Sequence, residues 1–359
     1  METQKYNIDT NFKLRPFEDR DYAGFVEMKN IIYPDHPWSV ETFRHRDNTR
    51  EKKIKYRCWV WEKNKSIMVS AVHTQYMESY HPHRFVIDIC VHPELQGQGY
   101  GAACYSHLME KLEPFDPIKL MSEVHEPHER GIRFMEDRGF VQTHKERESS
   151  LDLRHYVPGQ HQSELDRVLQ KNFRITNLTE FRKVDDNADY KVWELERDVC
   201  PDIPWTDPFT MPEYTTYKKH TLLHPKFNPD SWFLVLDNSR IAGMNNLWKS
   251  EIKNGINTGL TGVRREYRRK GIASALKHTS LTWSKKQGYE WIRTDNGSTN
   301  TGMLGINLRA GFKFMPDWLV FEKIIREDRL ANYISGFQVP PTSRAWHMAK
   351  FCGSPSKKI

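Results

Sequence analysis

The chain resembles itself at a spacing of about half its length, and this internal repeat limits the folds it can adopt. A Pro-Asp-x-Pro-Trp-Ser/Thr pattern begins at Pro34 and again at Pro201, 167 positions later. A Gly-Phe pair stands in each half, at Gly139 and at Gly311, with an offset of 172. Because the patterns recur in the same order with one small insertion between them, the sequence predicts two homologous domains in tandem.

Each half has the same order of predicted elements: a helix, three strands in a meander, a glycine-rich turn into a helix, a strand and a further helix. This order indicates a mixed α/β (α+β) fold, in which each domain has a mixed, mostly antiparallel central sheet flanked by helices. The predicted segments are an N-terminal domain over 1–154, a linker over 155–171, a C-terminal domain over 172–326 and a C-terminal extension over 327–359.

Composition excludes several classes of protein. With 359 residues, of which 38% are hydrophobic and 28% charged, the chain can bury the cores of two domains, so overall disorder is excluded. The mean hydropathy of -0.76 and the lack of a long apolar run or a signal peptide predict a soluble, cytoplasmic protein. The net charge of +7 suits an anionic partner, either a nucleic acid or a phosphate-bearing cofactor.

The cysteines and histidines predict neither a disulfide framework nor a metal site. The cysteines are odd in number, lie far apart and include no Cys-x-x-Cys pair, so we expect reduced thiols. No group of His, Cys, Asp and Glu has the spacing of metal ligands along the chain. The cysteines are Cys58, Cys90, Cys104, Cys200 and Cys352.

A strand-like segment runs in each half into the pattern Gln/Arg-x-x-Gly-x-Gly/Ala at the start of a helix. Glycine lets the backbone approach a ligand closely, and the exposed N–H groups and dipole of a helix start attract phosphate. The three basic residues of the second copy add charge-assisted contacts to a pyrophosphate. Neither copy fits a P-loop or a Gly-x-Gly-x-x-Gly dinucleotide motif. The predicted cofactor-binding residues are Gln96, Gly97, Gln98, Gly99, Tyr100 and Gly101, and Arg268, Arg269, Lys270, Gly271, Ile272 and Ala273.

These loops and the Gly-Phe pairs resemble the GNAT superfamily of N-acetyltransferases over most of both halves. The resemblance implies acetyl-CoA as co-substrate and direct transfer of its acetyl group to an amine. It also implies that Asn300, eleven positions before Gly311, contacts the cofactor, whereas the first half departs from the family with His128 at that position. By the same resemblance, the splayed end of the fourth strand, at Cys90 and Val91 and at Gly262 and Val263, pairs with the pantetheine arm and offers an N–H to the thioester carbonyl.

The family's acid and base are missing. Many members place a Tyr four positions before the Gly of Gly-Phe, and here those positions are Met135 and Asn307. Where some members carry a catalytic Glu, this chain has Phe85 and Asn257. Other carboxylates are therefore the candidates for orienting a cationic amine or relaying its proton.

Asp295 and Asp202 are the predicted catalytic residues of the second half. Asp295 ends a strand before the cofactor helix, and Asp202 lies in the repeated Pro-Asp-x-Pro-Trp segment. Structural alternatives stay open for both, since Asp295 begins a turn-like Asp-Asn-Gly and Asp202 fits an Asx-turn. The comparable candidates in the first half are Asp88, Glu123 and His125.

Two tryptophans, Trp38 and Trp205, follow proline in the repeated pattern, and we favour packing for both over a role in an acceptor pocket. The second half retains Asn300 and the more basic loop, so we predict that it is the catalytic half. The alternatives for the first half are an equally active copy, an inert cofactor-binding copy and a scaffold that closes the acceptor site.

The tandem arrangement resembles mycothiol synthase and the acetyltransferases of self-resistance to zwittermicin and paenilamicin. This resemblance implies a small-molecule primary amine as acceptor, such as an amine-bearing antibiotic. The competing hypothesis is a degenerate coenzyme A sensor or scaffold. Nucleic acid is predicted not to be a partner, because no helix-turn-helix, zinc or RNA-binding aromatic signature accompanies the basic charge, and no membrane partner is predicted.

Overall fold

The computed structural model of the protein describes residues 8–204 and 207–330. The first half contributes the helices α1 (Tyr22–Ile32), α2 (Val40–Thr49), α3 (Tyr100–Leu112) and α4 (Glu129–Glu136). Its strands are β1 (Arg15–Pro16), β2 (Arg57–Lys63), β3 (Ser66–Thr74), β4 (Arg84–Val91), β5 (Lys119–His125) and β6 (Val141–Asp152). The predicted elements of this half are confirmed, including a cap at Ser39, whose hydroxyl accepts a hydrogen bond from the backbone N–H of Thr42.

The second half repeats this order. Its helices are α5 (Gln162–Leu169), α6 (Leu178–Arg182), α7 (Ala188–Val199), α8 (Tyr214–Tyr217), α9 (Ile272–Lys286) and α10 (Thr301–Arg309). Its strands are β7 (Arg174–Asn177), β8 (Trp232–Asp237), β9 (Arg240–Lys249), β10 (Gly255–Val263), β11 (Trp291–Gly297), β12 (Lys313–Phe314) and β13 (Trp318–Ile324).

The thirteen strands of the described ranges form one sheet, in the order β1-β2-β3-β4-β5-β13-β6-β11-β10-β9-β8-β7, with β12 beside β6. Among these strands, the pairs β4–β5 and β10–β11 are parallel and the others are antiparallel. The predicted fold class, a mixed and mostly antiparallel sheet flanked by helices, is therefore confirmed.

The two halves exchange their last strands. β6 follows the first half in sequence but pairs with β11 of the second half, and β13 pairs with β5 of the first. β6 and β13 also pair with each other, with Glu146 opposite Trp318. These two positions are 172 apart, which is the repeat offset, so the pseudo-twofold axis of the molecule passes between them. The sheet of each half is thus completed by the other half.

Helices cover both faces of the sheet. In the first half, α1 and α2 pack on one face around Phe25, Val60 and Cys90, while α3 and α4 pack on the other around Leu108 and Leu120. In the second half, α7 and α9 lie on opposite faces in the same way, in two separate apolar clusters. Burial of these apolar faces is the main source of stability for a sheet covered on both sides.

Segment 155–171, the predicted linker, contains α5, which packs against α9 and buries Val168 completely. The domain boundaries at 154 and 171 stay a prediction. The predicted extension over 327–359 lies mostly outside the described residues, the last of which is residue 330.

Charged contacts also join the halves. Asp207 is buried and lies 2.6 Å from Nε of Arg84 and 3.1 Å from Nζ of Lys119, at the starts of β4 and β5. In the other direction, Arg293 of β11 donates to the backbone carbonyl of Asp35. Removing one partner from such a buried pair costs about 3 to 5 kcal/mol, because it leaves an uncompensated charge.

Two further features bear on the expectations from the sequence. None of the helices in the described part of the chain has the length and apolar character needed to cross a membrane. The four cysteines of the described residues are buried and form no disulfide, while Cys352 lies outside those residues.

The strand exchange predicts how a nicked chain behaves. A protease site inserted beside Gly159, which has no atom within 4 Å of an added Cβ, cuts the chain between the repeats without disturbing the core. We expect the two pieces to co-elute in size-exclusion chromatography until denaturant is added, because β5–β13 and β6–β11 hold them together. Pieces that separate under native conditions would contradict the exchange.

Candidate active site

The two glycine-rich loops have the same backbone shape. Gly99 and Gly271 cap α3 and α9 with φ of 100° and 90°, and the positions two residues earlier, Gly97 and Arg269, also have positive φ. No side chain caps either helix start, so the first-turn N–H groups remain directed outward. This arrangement suits an anion such as a pyrophosphate.

Several loop side chains serve the fold. Gln96 and Arg268, which occupy equivalent positions, donate to the carbonyls of Val91 and Val263, 3.1 and 2.9 Å away. The loops therefore close back on the strands that deliver them. Of the other loop residues, Tyr100 and Ile272 are buried in the cores, Gln98 donates to the carbonyl of Glu94, and Lys270 lies over the rings of Phe173 and Tyr267.

The first loop is covered by α4, whereas the second is more open. A Cβ added to Gly97 would lie 2.4 Å from Nη1 of Arg130, and one added to Gly101 would lie 3.1 Å from the ring of Phe134. In the second half the residue equivalent to Arg130 is Gly302, whose added Cβ meets no other atom closer than 3.9 Å. Arg269 is the residue equivalent to Gly97, so no arginine equivalent to Arg130 covers this position of the second loop.

The parallel strands separate beside each loop. β4 and β5 pair only over three residues, ending at Val86 with Met121, and β10 and β11 pair only from Gly255 to Asn257. Cys90, Val91, Gly262 and Val263 lie beyond these points, on the diverging ends, as the family resemblance implies. A slot therefore opens through the sheet in each half.

The second slot has a β-bulge that the first lacks. The pairing of β10 with β9 shifts between Thr258 and Thr261, whereas β4 pairs regularly with β3. The side chain of Asn246 accepts a hydrogen bond from the N–H of Leu260 within the bulge, 2.7 Å away. Gly262 lets α7 approach, because an added Cβ would lie 2.6 Å from Cγ2 of Val199. Bulges of this kind redirect the backbone at functional sites.

The two remaining sequence candidates in the second half have structural partners. Asp202 accepts hydrogen bonds from Arg265 and from Arg268 of the loop, and these bonds lower its pKa. Asn300 caps α10, since its Oδ1 accepts from the N–H of Met303, 3.3 Å away. His128, at the equivalent position, forms no such cap on α4.

Carboxylates gather on one face of the central strands. Directly paired residues of neighbouring strands share a face, and the register pairs Asp295 with Glu148, Glu146 with Trp318, and Trp318 with His125. Glu123 and Asp88 follow the mutually paired Met121 and Val86 by two residues, which puts them on this face as well. We call the set Asp88, Glu123, Glu146, Glu148 and Asp295 the acidic face.

This face of the sheet is the one that α1 and α7 cover, and neighbouring carboxylates contribute to raising the pKa of Asp295 and of Glu123. Asp295 retains access to solvent, but desolvation by the surrounding protein, together with Glu146 and Glu148, raises its pKa to about 6. Burial also raises the pKa of Glu123, although the hydroxyl of Tyr76 donates to it at 2.8 Å. The sequence candidates Asp295, Glu123 and Asp88 therefore belong to a single constellation.

Asp88 is half of an ion pair, and its side chain is 40% exposed. Its carboxylate contacts the ammonium of Lys29 on α1. Burial opposes its ionisation, yet Lys29 holds the pKa of Asp88 below its usual range. The equivalent positions in the second half are Glu196 and Leu260, so the second slot has no such pair.

Sequence reasoning missed two titratable residues beside the second slot. Glu196, one turn before Val199 on α7, accepts from the hydroxyl of Tyr217 at 2.7 Å, and burial raises its pKa to about 7. Lys277 of α9 is completely buried, 3.5 Å from Oγ1 of Thr258, and burial lowers its pKa to about 7. The signal for Lys277 was a charged residue on the apolar stripe of a helix.

Three side chains of types that bind metals lie close together, although the sequence spacing of such residues predicted no metal site. One ligand atom from each of His36, His125 and Glu148 lies within 4.8 Å of the other two. They come from the α1–α2 loop, β5 and β6, so no local spacing reveals them. A second group, His161, Glu164 and His278, lies between α5 and α9.

Other features lie apart from the acidic face. Trp38 is 37% exposed, its ring packs edge-on against Phe43, and its backbone bonds the side chain of Asn30. Trp205 lies outside the described residues. A surface recess of about 320 Å³ is lined by Ser39, Lys226 and other residues, none from a glycine loop or the acidic face.

The sequence matches the acetyltransferase (GNAT) family over residues 25–140 and 192–312, which is more than half of the chain. The protein therefore belongs to the GNAT family, with two GNAT domains in tandem, and is an acyltransferase. No curated protein matches it in sequence.

Several solved structures share this architecture. A tandem GNAT protein from the clavulanic acid biosynthesis pathway has 15% identity and a TM-score of 0.67, covering 87% of this chain and 98% of that one. A GCN5-related N-acetyltransferase from Sphaerobacter thermophilus has 15% identity and a TM-score of 0.64, covering 89% and 97%. A GCN5-related glucosamine N-acetyltransferase region of a fungal multi-domain GH3 β-N-acetylglucosaminidase has 14% identity and a TM-score of 0.64, covering 88% of this chain and 38% of that one. At these identities the likeness shows the fold.

The buried Lys277 predicts a specific pH dependence of stability. Lysine has a pKa near 10.4 in an unfolded chain and about 7 here, so between these values the unfolded state binds more protons and stability rises with pH. We expect Lys277→Met to stabilise the protein by up to a few kcal/mol at pH 7, at about 1.4 kcal/mol per pKa unit, with the gain vanishing toward pH 10.4.

Urea unfolding of both proteins between pH 6.5 and 10 measures this difference. Lys286→Met, at the exposed end of the same helix, is the matched control and should show no pH-dependent difference. A gain from Lys277→Met that stays constant with pH would show that the lysine is charged in the fold.

Proposed function

We propose that this protein is an acetyl-CoA-dependent N-acetyltransferase that acts on a primary amine of a cationic small molecule. The observation that carries the proposal is the acidic face, which lies where the slots of the two halves open at the centre of the molecule. An amine acceptor is protonated at neutral pH, and a group of carboxylates concentrates such cations.

The second glycine-rich loop fits the phosphates of the cofactor. Residues 269–273 combine a positive-φ backbone, uncapped N–H groups and a helix of fifteen residues behind them. The main-chain N–H groups of this loop would hold a pyrophosphate, with Lys270 nearby. Bound acetyl-CoA supplies the activated acyl thioester that an amine attacks.

The residues of this chain would bind the acceptor and take up the proton that its ammonium group loses. The ammonium must lose a proton before its nitrogen can attack, so a carboxylate within the site is needed. Asp295 and Glu196 are our candidates, because both are carboxylates whose pKa is raised toward neutrality by burial. We assign Asp202 a different role, which is to hold Arg268 in the loop.

Three contrasts favour the second half as the catalytic half. It has the β-bulge, the loop that Gly302 leaves open, and Glu196 in place of a lysine. In the first half, Lys29 neutralises Asp88 and Arg130 lies over the loop. We infer that the first half contributes carboxylates to the acceptor site and acts mainly as a scaffold.

We infer that the acceptor is small and carries more than one cationic group, as amine-bearing antibiotics do, because acidic residues come from both halves. Acetylation of such a molecule removes a positive charge. A tandem protein of similar fold belongs to the clavulanic acid biosynthesis pathway, which gives a precedent for this architecture in the metabolism of small molecules.

Measuring acetyl-CoA binding shows which of the two loops holds the cofactor. Gly271→Glu puts bulk and negative charge at the phosphate position of the second loop, and Gly99→Glu is its matched control at the equivalent position. We expect isothermal titration with acetyl-CoA to lose its main binding event in Gly271→Glu only. Loss confined to Gly99→Glu would assign the site to the first half, and no binding to the native protein would refute the proposal.

Acceptor binding tests the acidic face. We expect Asp295→Asn to raise the KM for a diamine acceptor about tenfold, the loss of one charge-assisted contact of about 1.4 kcal/mol, and to leave the KM for acetyl-CoA unchanged. The exposed Glu110→Gln on α3 is the control. An unchanged KM for the diamine would remove Asp295 from the site. Tight acetyl-CoA binding without turnover on any amine would favour the sensor instead.

A further inference from the structure

The group His36, His125 and Glu148 lies at one edge of the acidic face, and its three side chains converge from different elements. Nε2 of His36 is 2.7 Å from Oε2 of Glu148. The rings of His36 and His125 have centroids 4.9 Å apart and planes inclined at 74°. Inclined rings can direct nitrogen lone pairs to a common point, which parallel rings cannot do.

We propose that these three side chains form a binding site for a divalent transition metal ion, for which zinc is the probe. Two histidines and one carboxylate are the ligand set of zinc sites that leave a fourth position to water or substrate. Nitrogen and oxygen ligands lie about 2.0 to 2.2 Å from zinc, so His125 must move slightly toward the His36–Glu148 pair when the ion binds.

An unsatisfied nitrogen supports the site. Nε2 of His125 is buried without a hydrogen-bond partner, and His125 is only 8% exposed. A hydrogen bond between His36 and Glu148 explains the short distance between these two side chains, but it leaves Nε2 of His125 without a partner. A buried polar atom without a partner is costly, and an ion coordinated by His125 would remove that cost.

The groups around the ligands have the arrangement that holds metal ligands in place. His125 bonds the backbone carbonyl of Pro316, and because its Nε2 has no partner, Nδ1 makes that bond. Metal-binding histidines commonly donate their second ring nitrogen to a carbonyl in this way. Arg293 lies 3.5 Å from Oε1 of Glu148 and also bonds the carbonyl of Asp35, next to His36.

Nearby carboxylates offset the positive charge that Arg293 puts beside the ligands. Arg293 contributes one positive charge, whereas Glu123, Glu146 and Asp295 all act electrostatically on this part of the sheet. Carboxylates that repel one another in this way are stabilised by a bound cation. The net field therefore opposes a cation less than Arg293 alone would suggest.

The internal repeat supplies a natural comparison. Under the pseudo-twofold relation, His36, His125 and Glu148 correspond to Ile203, Gly297 and Val320. None of these three residues has a side chain that can bind a metal. The His36, His125 and Glu148 group is therefore specific to one half and is not a feature that the repeat imposes on both. The other His–Glu–His group stacks its rings at 3.8 Å and 16°, which directs the lone pairs alongside each other.

The test uses the full-length protein, stripped with a chelator and titrated with zinc chloride by calorimetry and by competition with a chromophoric chelator. We expect one zinc ion per chain with a Kd in the micromolar range or tighter. Glu148→Gln keeps the size of the side chain but removes its negative charge and one acceptor oxygen, and we expect it to weaken binding at least tenfold. His36→Asn should do the same.

His161→Asn, in the other His–Glu–His group, is the control and should bind zinc as the native protein does. Circular dichroism of each variant shows whether it is folded, and the two separate ligand variants protect the test if one fails to fold. No stoichiometric zinc binding, equal binding by Glu148→Gln, or loss of binding in His161→Asn would each overturn the proposal. The readout does not depend on acetyl transfer, so it is independent of the proposed function.

Discussion

The pairing of β6 with β13 is the constraint on which the rest of the structure depends. Each strand ends one half in sequence and completes the sheet of the other half, so neither GNAT domain closes its sheet with its own chain. The pairing also puts Glu146 next to the pseudo-twofold axis, and the neighbouring pairing of β6 with β11 puts Glu148 beside Asp295. The two slots in the sheet are thereby brought to one central region, and the carboxylates of both halves face it together.

The same arrangement lets two similar halves acquire different properties. Lys29 neutralises Asp88 and Arg130 covers the glycine loop in the first half, whereas the second half has Glu196, a bulge and an open loop. Because the sheet is continuous, the first half can still contribute Glu123 and Glu148 to a site served by the second loop. A duplicated domain can lose its own binding site in this way and remain necessary, because its residues line the binding site of the other domain.

Much of the fold was predictable from the sequence, because repeated motifs and strand patterns are local. The loops at Gly99 and Gly271 adopt the backbone that their glycines predict. The exchange of β6 and β13 was not predictable, since a strand's own sequence does not say which of two equivalent edges it joins. The candidates Asp295, Glu123, Asp88 and His125 were identified one by one, but their convergence depends on that exchange. His36 was missed because its role depends on contacts distant in sequence, whereas Lys277 had a local signal, its place on the apolar stripe of a helix.

The central claim is that an acidic centre built by both halves selects cationic amines for acetylation by acetyl-CoA. The most direct test follows transfer of a labelled acetyl group by mass spectrometry to three acceptors of equal chain length: a diamine, a monoamine and an amino acid. We expect kcat/KM to fall in that order, and the preference for the diamine to weaken as salt screens the carboxylates. Equal rates for the three acceptors, or a preference for the amino acid, would contradict the account.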